Sequence, residues 1–105
     1  MEDNQQARYW AKLHYSATGE VVLAACDLTL LGRMIPVSED HVIEVSEEFY
    51  MGQSINWDQL LILIEKATII NLLGDEVVTR AIEHKILAPE AVLKVGGVSH
   101  AQIML

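Results

Sequence analysis

Thr68–Gly74, TIINLLG, sits between two helical patterns, and its reading decides how the chain is assembled. Read as a short turn or broken helix ending near Gly74, it leaves two helices in succession. The element order then becomes strands, helices, strands, which argues for an α+β fold rather than an alternating parallel sheet.

Upstream of it, Asn56 precedes WDQLLILIEKA. Gln59 stands where a capping box needs it, Asp58 favours the positive end of the dipole, and Ile55 is placed to staple onto Leu60. The pattern predicts a helix over about 57–67 with Leu60, Leu61, Ile64 and Ala67 facing a core, and Glu65 and Lys66 in water. Downstream, DEVVTRAIEHK predicts a second helix with Val77, Val78, Ala81 and Ile82 inward. Side by side, the two cover one face of a sheet.

Residues 8–15, RYWAKLHY, alternate, with Tyr9, Ala11, Leu13 and Tyr15 on one face and Arg8, Trp10, Lys12 and His14 on the other. SATG turns the chain into EVVLAAC, which completes a hairpin. A turn at Ser16–Gly19 sets Tyr15 opposite Glu20, Lys12 opposite Leu23, Trp10 opposite Ala25 and Arg8 opposite Asp27. Asp27 then caps a single helical turn, DLTLLGR, that Gly32 ends in the left-handed region. MIPVSED reads as a loop, with Pro36 forbidding a ladder bond, and HVIEVS (41–46) as a third strand. After Pro89, AVLKV and VSHAQIML form closing strands around Gly96 and Gly97, the last beside an early strand.

The expected fold is therefore a small, mostly antiparallel sheet with two main helices on one face: a single α+β domain over 7–105 behind a flexible tail at 1–6. At 105 residues and 51% apolar content the chain supports one core. It shows no basic segment leading into an apolar one and no run longer than LLILI, so a soluble cytoplasmic protein without membrane attachment is expected. A single cysteine, Cys26, fits a reducing compartment. Fifteen acidic against seven basic residues, net −8, disfavour broad contact with phosphate backbones.

Three classes of function follow. The stripe of Arg8, Trp10, Lys12 and His14 interleaves positive charge with an aromatic ring, as single-stranded RNA platforms do. The alternative is that Trp10 packs on apolar neighbours across the hairpin. In the last strand His100 and Gln102 lie opposite the core-facing Ala101 and Ile103, and their donors and acceptors suit a polar ligand. A half-covered sheet face also suits a protein partner or a second copy of the chain. The third class is a small enzyme using Cys26 as nucleophile with His100 as base and Asp27 nearby. Its alternative is a buried structural cysteine beside a helix cap. Histidines 14, 41, 84 and 100 are scattered without ligand spacing, and no glycine-rich phosphate loop occurs, so no metal and no cofactor are expected.

Taken together, ACDLTLLGR (25–33), EEFYMGQ (47–53), KATIINLLGDEVVTRAI (66–82) and KVGGVSHAQI (94–103) resemble the archaeal family called domain of unknown function 424. The resemblance implies a small cytoplasmic archaeal protein, suggests binding related to RNA or translation, and supplies no reaction. It marks Cys26, Asp27, Gly32, Phe49, Tyr50, Gly52, Asn71, Gly74, His100 and Gln102, with Asn71 holding backbone between the helices. It also implies a glycine closing the second helix, where this chain has Lys85.

Overall fold

Strands β1 (Tyr9–Tyr15) and β2 (Val21–Asp27) form the antiparallel hairpin that the alternation predicts. This computed structural model describes residues 6–105, so the expected tail over 1–6 lies outside them except at Gln6. The hairpin register is one residue from the expected one: Tyr15 pairs with Val21, Lys12 with Ala24 and Trp10 with Cys26. The cause is the loop, where Ser16 N donates to Glu20 O at 3.0 Å and Ser16 Oγ accepts from Glu20 N, so Glu20 belongs to the turn. A one-residue slip changes which side chains share a face. Trp10, Lys12 and His14 therefore lie beside Val22, Ala24 and Cys26 rather than beside Val21, Leu23 and Ala25.

A 3-10 turn over Leu28–Leu30 leads to β3 (Met34–Pro36) and β4 (Val42–Glu44), a separate two-stranded ribbon. The expected loop at Pro36 is thus corrected. A proline without an N–H is tolerated at the end of an edge strand, and Pro36 pairs there with Val42. Helix α1 (Glu47–Tyr50) starts at Ser46, whose Oγ accepts Phe49 N at 3.2 Å, and β5 (Gln53–Ile55) then joins the outer edge of β1. Helix α2 (Trp57–Lys66) has the capping box its sequence predicts: Gln59 N donates to Asn56 Oδ1 at 2.8 Å, and Asn56 N to Gln59 Oε1 at 3.0 Å.

TIINLLG is not a broken helix. It forms β6 (Ile69–Leu73), parallel to β2 on one side and antiparallel to the last strand on the other. One face is covered, with Ile70 and Leu72 in the helix-side cluster; on the other, Leu73 is buried under the ribbon while Ile69 and Asn71 are half-buried, so apolar residues fall on both faces and the strand reads as a nearly continuous apolar run. Gly74 (φ 131°) then turns the chain into α3 (Asp75–Glu83). Strands β7 (Leu93–Val95) and β8 (Val98–Met104) close as a hairpin through Gly96 and Gly97, both in the left-handed region at φ 57° and 84°, as a two-residue hairpin turn requires. Gly96 also packs against Ile35 and Pro36, where a Cβ would collide with both.

The main sheet runs β5-β1-β2-β6-β8-β7. The last strand is therefore separated from the early hairpin by β6, contrary to expectation. The class is α+β, but the described residues form three helices and eight strands in a mixed arrangement, not a small, mostly antiparallel sheet. As expected, α2 and α3 share one face, packing Leu60, Val77 and Ala81 onto Tyr9, Leu23 and Ile70. The ribbon and α1 cover part of the other face through Ala24, Cys26, Ile35, Val45, Tyr50 and Leu73.

Lys85 takes the position that the resemblance reserves for glycine, at φ 60°. Ile86 N bonds to Ala81 O and Lys85 N to Ile82 O, the paired bonds of a Schellman closure. The helix end keeps a glycine-like backbone with a lysine in it.

Candidate functional site

Asp27 and Cys26 are consecutive in β2 and so point to opposite faces. On the helix side, Asp27 caps α3 rather than the turn that follows it: Oδ2 accepts Glu76 N at 2.9 Å and Oδ1 accepts Val77 N at 2.8 Å. Burial raises its carboxyl above the usual range, and these two N–H donors oppose the rise. A Cβ on Gly74 would strike this carboxylate, so the glycine and the aspartate form one device that starts α3. Beside it, at the ends of the parallel strands β2 and β6, a crevice of about 180 Å³ is lined by Arg8, Asp27, Thr29 and Glu76 among others. Its one basic group among the described residues is already engaged: Arg8 Nη1 lies 3.3 Å from Glu76 Oε2, which also accepts from Tyr9 Oη at 3.4 Å.

On the ribbon side, Cys26 is fully buried, and burial pushes its thiol up to about 12. A protonated thiol is a poor nucleophile. Leu73 stands between Cys26 and His100 in the cross-strand row. Cys26, Asp27 and His100 therefore do not converge around a pocket.

The expected stripe is divided among internal partners. Arg8 is held by Glu76, and Trp10 packs on the buried cluster under the ribbon. Lys12 Nζ donates to Glu48 O at 2.8 Å, and His14 Nε2 lies 2.8 Å from Phe49 O while its ring stacks on Phe49 at 4.9 Å. Lys12 and His14 thus fasten α1 to β1. The Lys12 ammonium at this end of α1 also suits the helix dipole.

Beyond α1 and the ribbon, the same face is open. One row across four strands reads Lys12, Ala24, Asn71, Gln102, and the next holds Leu73 and His100. His100 Nε2 lies 3.2 Å from Asn71 Oδ1. Asn71 and His100 are half-buried and Gln102 is exposed, so alternation places His100 and Gln102 correctly while His100 is more sheltered than a free surface group. Burial lowers its imidazole below the usual value, which keeps it neutral near pH 7. With Nε2–H donating to Asn71, Nδ1 remains an acceptor, on the face that alternation also gives to Gln102.

The family model described as "Protein of unknown function (DUF424)" matches residues 15–105, from the end of β1 to the end of the chain. The chain belongs to this family. A crystal structure of an uncharacterized conserved protein from Methanopyrus kandleri is similar, with a TM-score of 0.77 and 29% identity over 92% of this chain and 90% of that one. No curated protein matches the chain.

The DUF424 resemblance marks two structural groups of residues. Cys26, Asp27, Gly74 and Tyr50 build the start of α3 and the second cluster, where burial also pushes the Tyr50 hydroxyl up to about 12. Gly52 lets the chain cross β1, since a Cβ there would strike Ala11 O. Asn71, His100 and Gln102 have no comparable packing duty. Asn71 does not hold backbone between helices as expected; it stands in mid-strand and binds His100.

Sequence reading missed a second bridge, in which Asp75 Oδ1 accepts Ser99 N at 2.9 Å and lies 3.6 Å from Lys94 Nζ. These bonds, the Ser99 N–H first, hold the Asp75 carboxyl below the usual range. The signal available was the acidic residue directly after Gly74, at a helix start. Among the described residues no cluster of potential ligands could hold a metal ion, and no helix is long and apolar enough to cross a membrane.

Proposed function

We propose that this domain is a binding module rather than an enzyme, and that it engages a protein partner through the open half of the ribbon-side face, with His100, Asn71 and Gln102 as its polar centre. The observation that carries this reading is the half-buried His100–Asn71 pair on a sheet face that α1 and the ribbon leave uncovered. Around it Leu93 and Met104 are 66% and 72% exposed, and apolar side chains beside oriented hydrogen-bonding groups are what a protein interface uses. RNA is the weaker reading, because Arg8 is neutralised by Glu76, Trp10 is packed, and the chain carries net −8. Lys12 favours it, since among the described residues its ammonium bonds a backbone carbonyl and no carboxylate.

Capture from the cytoplasm of the native cells, with and without ribonuclease, tests the proposal. A protein retained after nuclease treatment and lost with His100→Ala or Gln102→Ala supports it. RNA that disappears with nuclease and with Lys12→Ala would replace it by the nucleic-acid reading.

A further inference from the structure

The face just described ends at a strand edge with properties of its own. Strand β8 runs from Val98 to Met104, but β7 pairs only with Val98–His100. Among the described residues, the outer edge of β8 is therefore unpaired from Ala101 onward. Which backbone groups face it follows from the inner side: Leu105 N bonds to Thr68 O and Ser99 O accepts from Gly74 N, so Ser99, Ala101, Ile103 and Leu105 turn their N–H and C=O inward to β6. By antiparallel alternation Gln102 and Met104 turn theirs outward.

From this edge we infer that two copies of the chain pair through antiparallel β8 strands, joining two six-stranded sheets into one. The register is self-consistent. A two-fold axis at Ile103 sets Gln102 of one copy opposite Met104 of the other and the reverse, so both outward-facing residues meet outward-facing residues and exchange hydrogen bonds. The segment's composition fits a like partner: HAQIML holds no acidic, lysine or arginine side chain in a chain of net −8, so no like-charged side chains oppose each other here. Leu93, Met104 and Leu105, 66%, 72% and 76% exposed, gather at the same edge. Natural edges are usually blunted by charge, proline or cover, and this stretch has none of the first two.

The opposite edge of the sheet compares poorly. There β5 leaves Lys12–Tyr15 of β1 unpaired among the described residues, but a two-fold pairing would set His14 against His14 and add two Lys12 charges to the joined edge. The dimer concerns the edge rather than the face, and it would set two His100–Asn71–Gln102 groups on one continuous surface.

The test is sedimentation equilibrium of the purified protein from micromolar to about 1 mM, a range that populates even a dimer of millimolar Kd. Mass rising toward twice the monomer is expected. Met104→Pro removes an N–H that only the second copy uses and should weaken association by about tenfold or more; Met104→Lys should do the same by charge. Hydrogen exchange at the Gln102 and Met104 amides of the unmodified protein should slow as concentration rises. A monomer throughout the range, or a dimer that both substitutions leave intact while those amides stay fast, overturns the inference.

Discussion

The two faces of the main sheet are built to different standards. The helix side is closed: Tyr9, Leu23, Ile70 and Leu72 are covered by α2 and α3, and each helix has a side-chain cap, Asn56 for α2 and Asp27 for α3. The ribbon side is closed only where Cys26, Val45, Tyr50 and Leu73 meet, and beyond that it exposes polar groups and methionine. The difference separates the surface that holds the fold from the surface free to bind. A domain of this size has one core to spend on stability, and uncovered sheet is where a partner finds area.

If that division is right, truncation should hurt most on the helix side. Leu60 is fully buried there, and Leu60→Ala is expected to cost about 2–5 kcal/mol by urea unfolding. Leu93→Ala, on the exposed edge of the other face, should stay within about 0.5 kcal/mol. Comparable losses at the two positions would break the comparison.

The join between α3 and the sheet is the next largest effect. Gly74→Ala must place a Cβ against the Asp27 carboxylate at φ 131°, and should cost about 1–3 kcal/mol. Asp27→Ala removes acceptors from Glu76 N and Val77 N and should cost about 1–2 kcal/mol. With Asp27→Ala in place, Gly74→Ala should cost less than it does alone, because the clashing carboxylate is gone. A double-mutant cycle on thermal or urea unfolding reads this directly.

On the ribbon side the expected effect is a smaller one, in pH. His100 has its folded pKa below the ordinary 6.5 through burial, so the unfolded chain binds the proton more readily. Its contribution is therefore complete above about pH 6.5 and is lost as pH falls through the folded value. Unfolding free energy measured across pH 7.5 to 5 should decline in the unmodified protein and decline less in His100→Gln. Equal slopes would mean the imidazole is as free as in the unfolded chain.

The two faces also differed in how far they could be read from sequence. On the helix side, Asn56–Gln59 and the spacing of Val77, Val78 and Ala81 fixed both helices, because capping and amphipathic period are local signals. TIINLLG was misread for a physical reason: Ile69 and Leu73 put apolar residues on the ribbon side as well as the helix side, so the alternation that identifies strands is lost, and Asn71 interrupts the β-branched pair before it. That error displaced β8 from its true neighbour. On the ribbon side, β3, β4 and β5 are three residues each, too short for periodicity, and α1 is four. The polar centre was half legible. Alternation put His100 and Gln102 on one face, but Asn71 joins them only through the β6–β8 pairing, a long-range fact that no local pattern carries.

The smallest effect tests whether the closed face is fully optimised. Lys85 sits at φ 60°, inside the Schellman closure of α3, where an L side chain crowds its own carbonyl at a cost of roughly 1–2 kcal/mol. Glycine would relieve that crowding but adds freedom to the unfolded chain, which offsets about 0.4–1 kcal/mol. Lys85 forms no ion pair among the described residues, and its side chain is exposed, so little else is lost on replacing it. Lys85→Gly is therefore expected to stabilise the domain by about 0.5–1 kcal/mol in urea unfolding, while Lys85→Ala, which keeps the Cβ, should give no such gain. Stabilisation by both substitutions would show that the left-handed backbone is not the source of the gain, because alanine keeps the Cβ that glycine removes, and a lysine at a helix C-terminus on an acidic surface is favourable by charge.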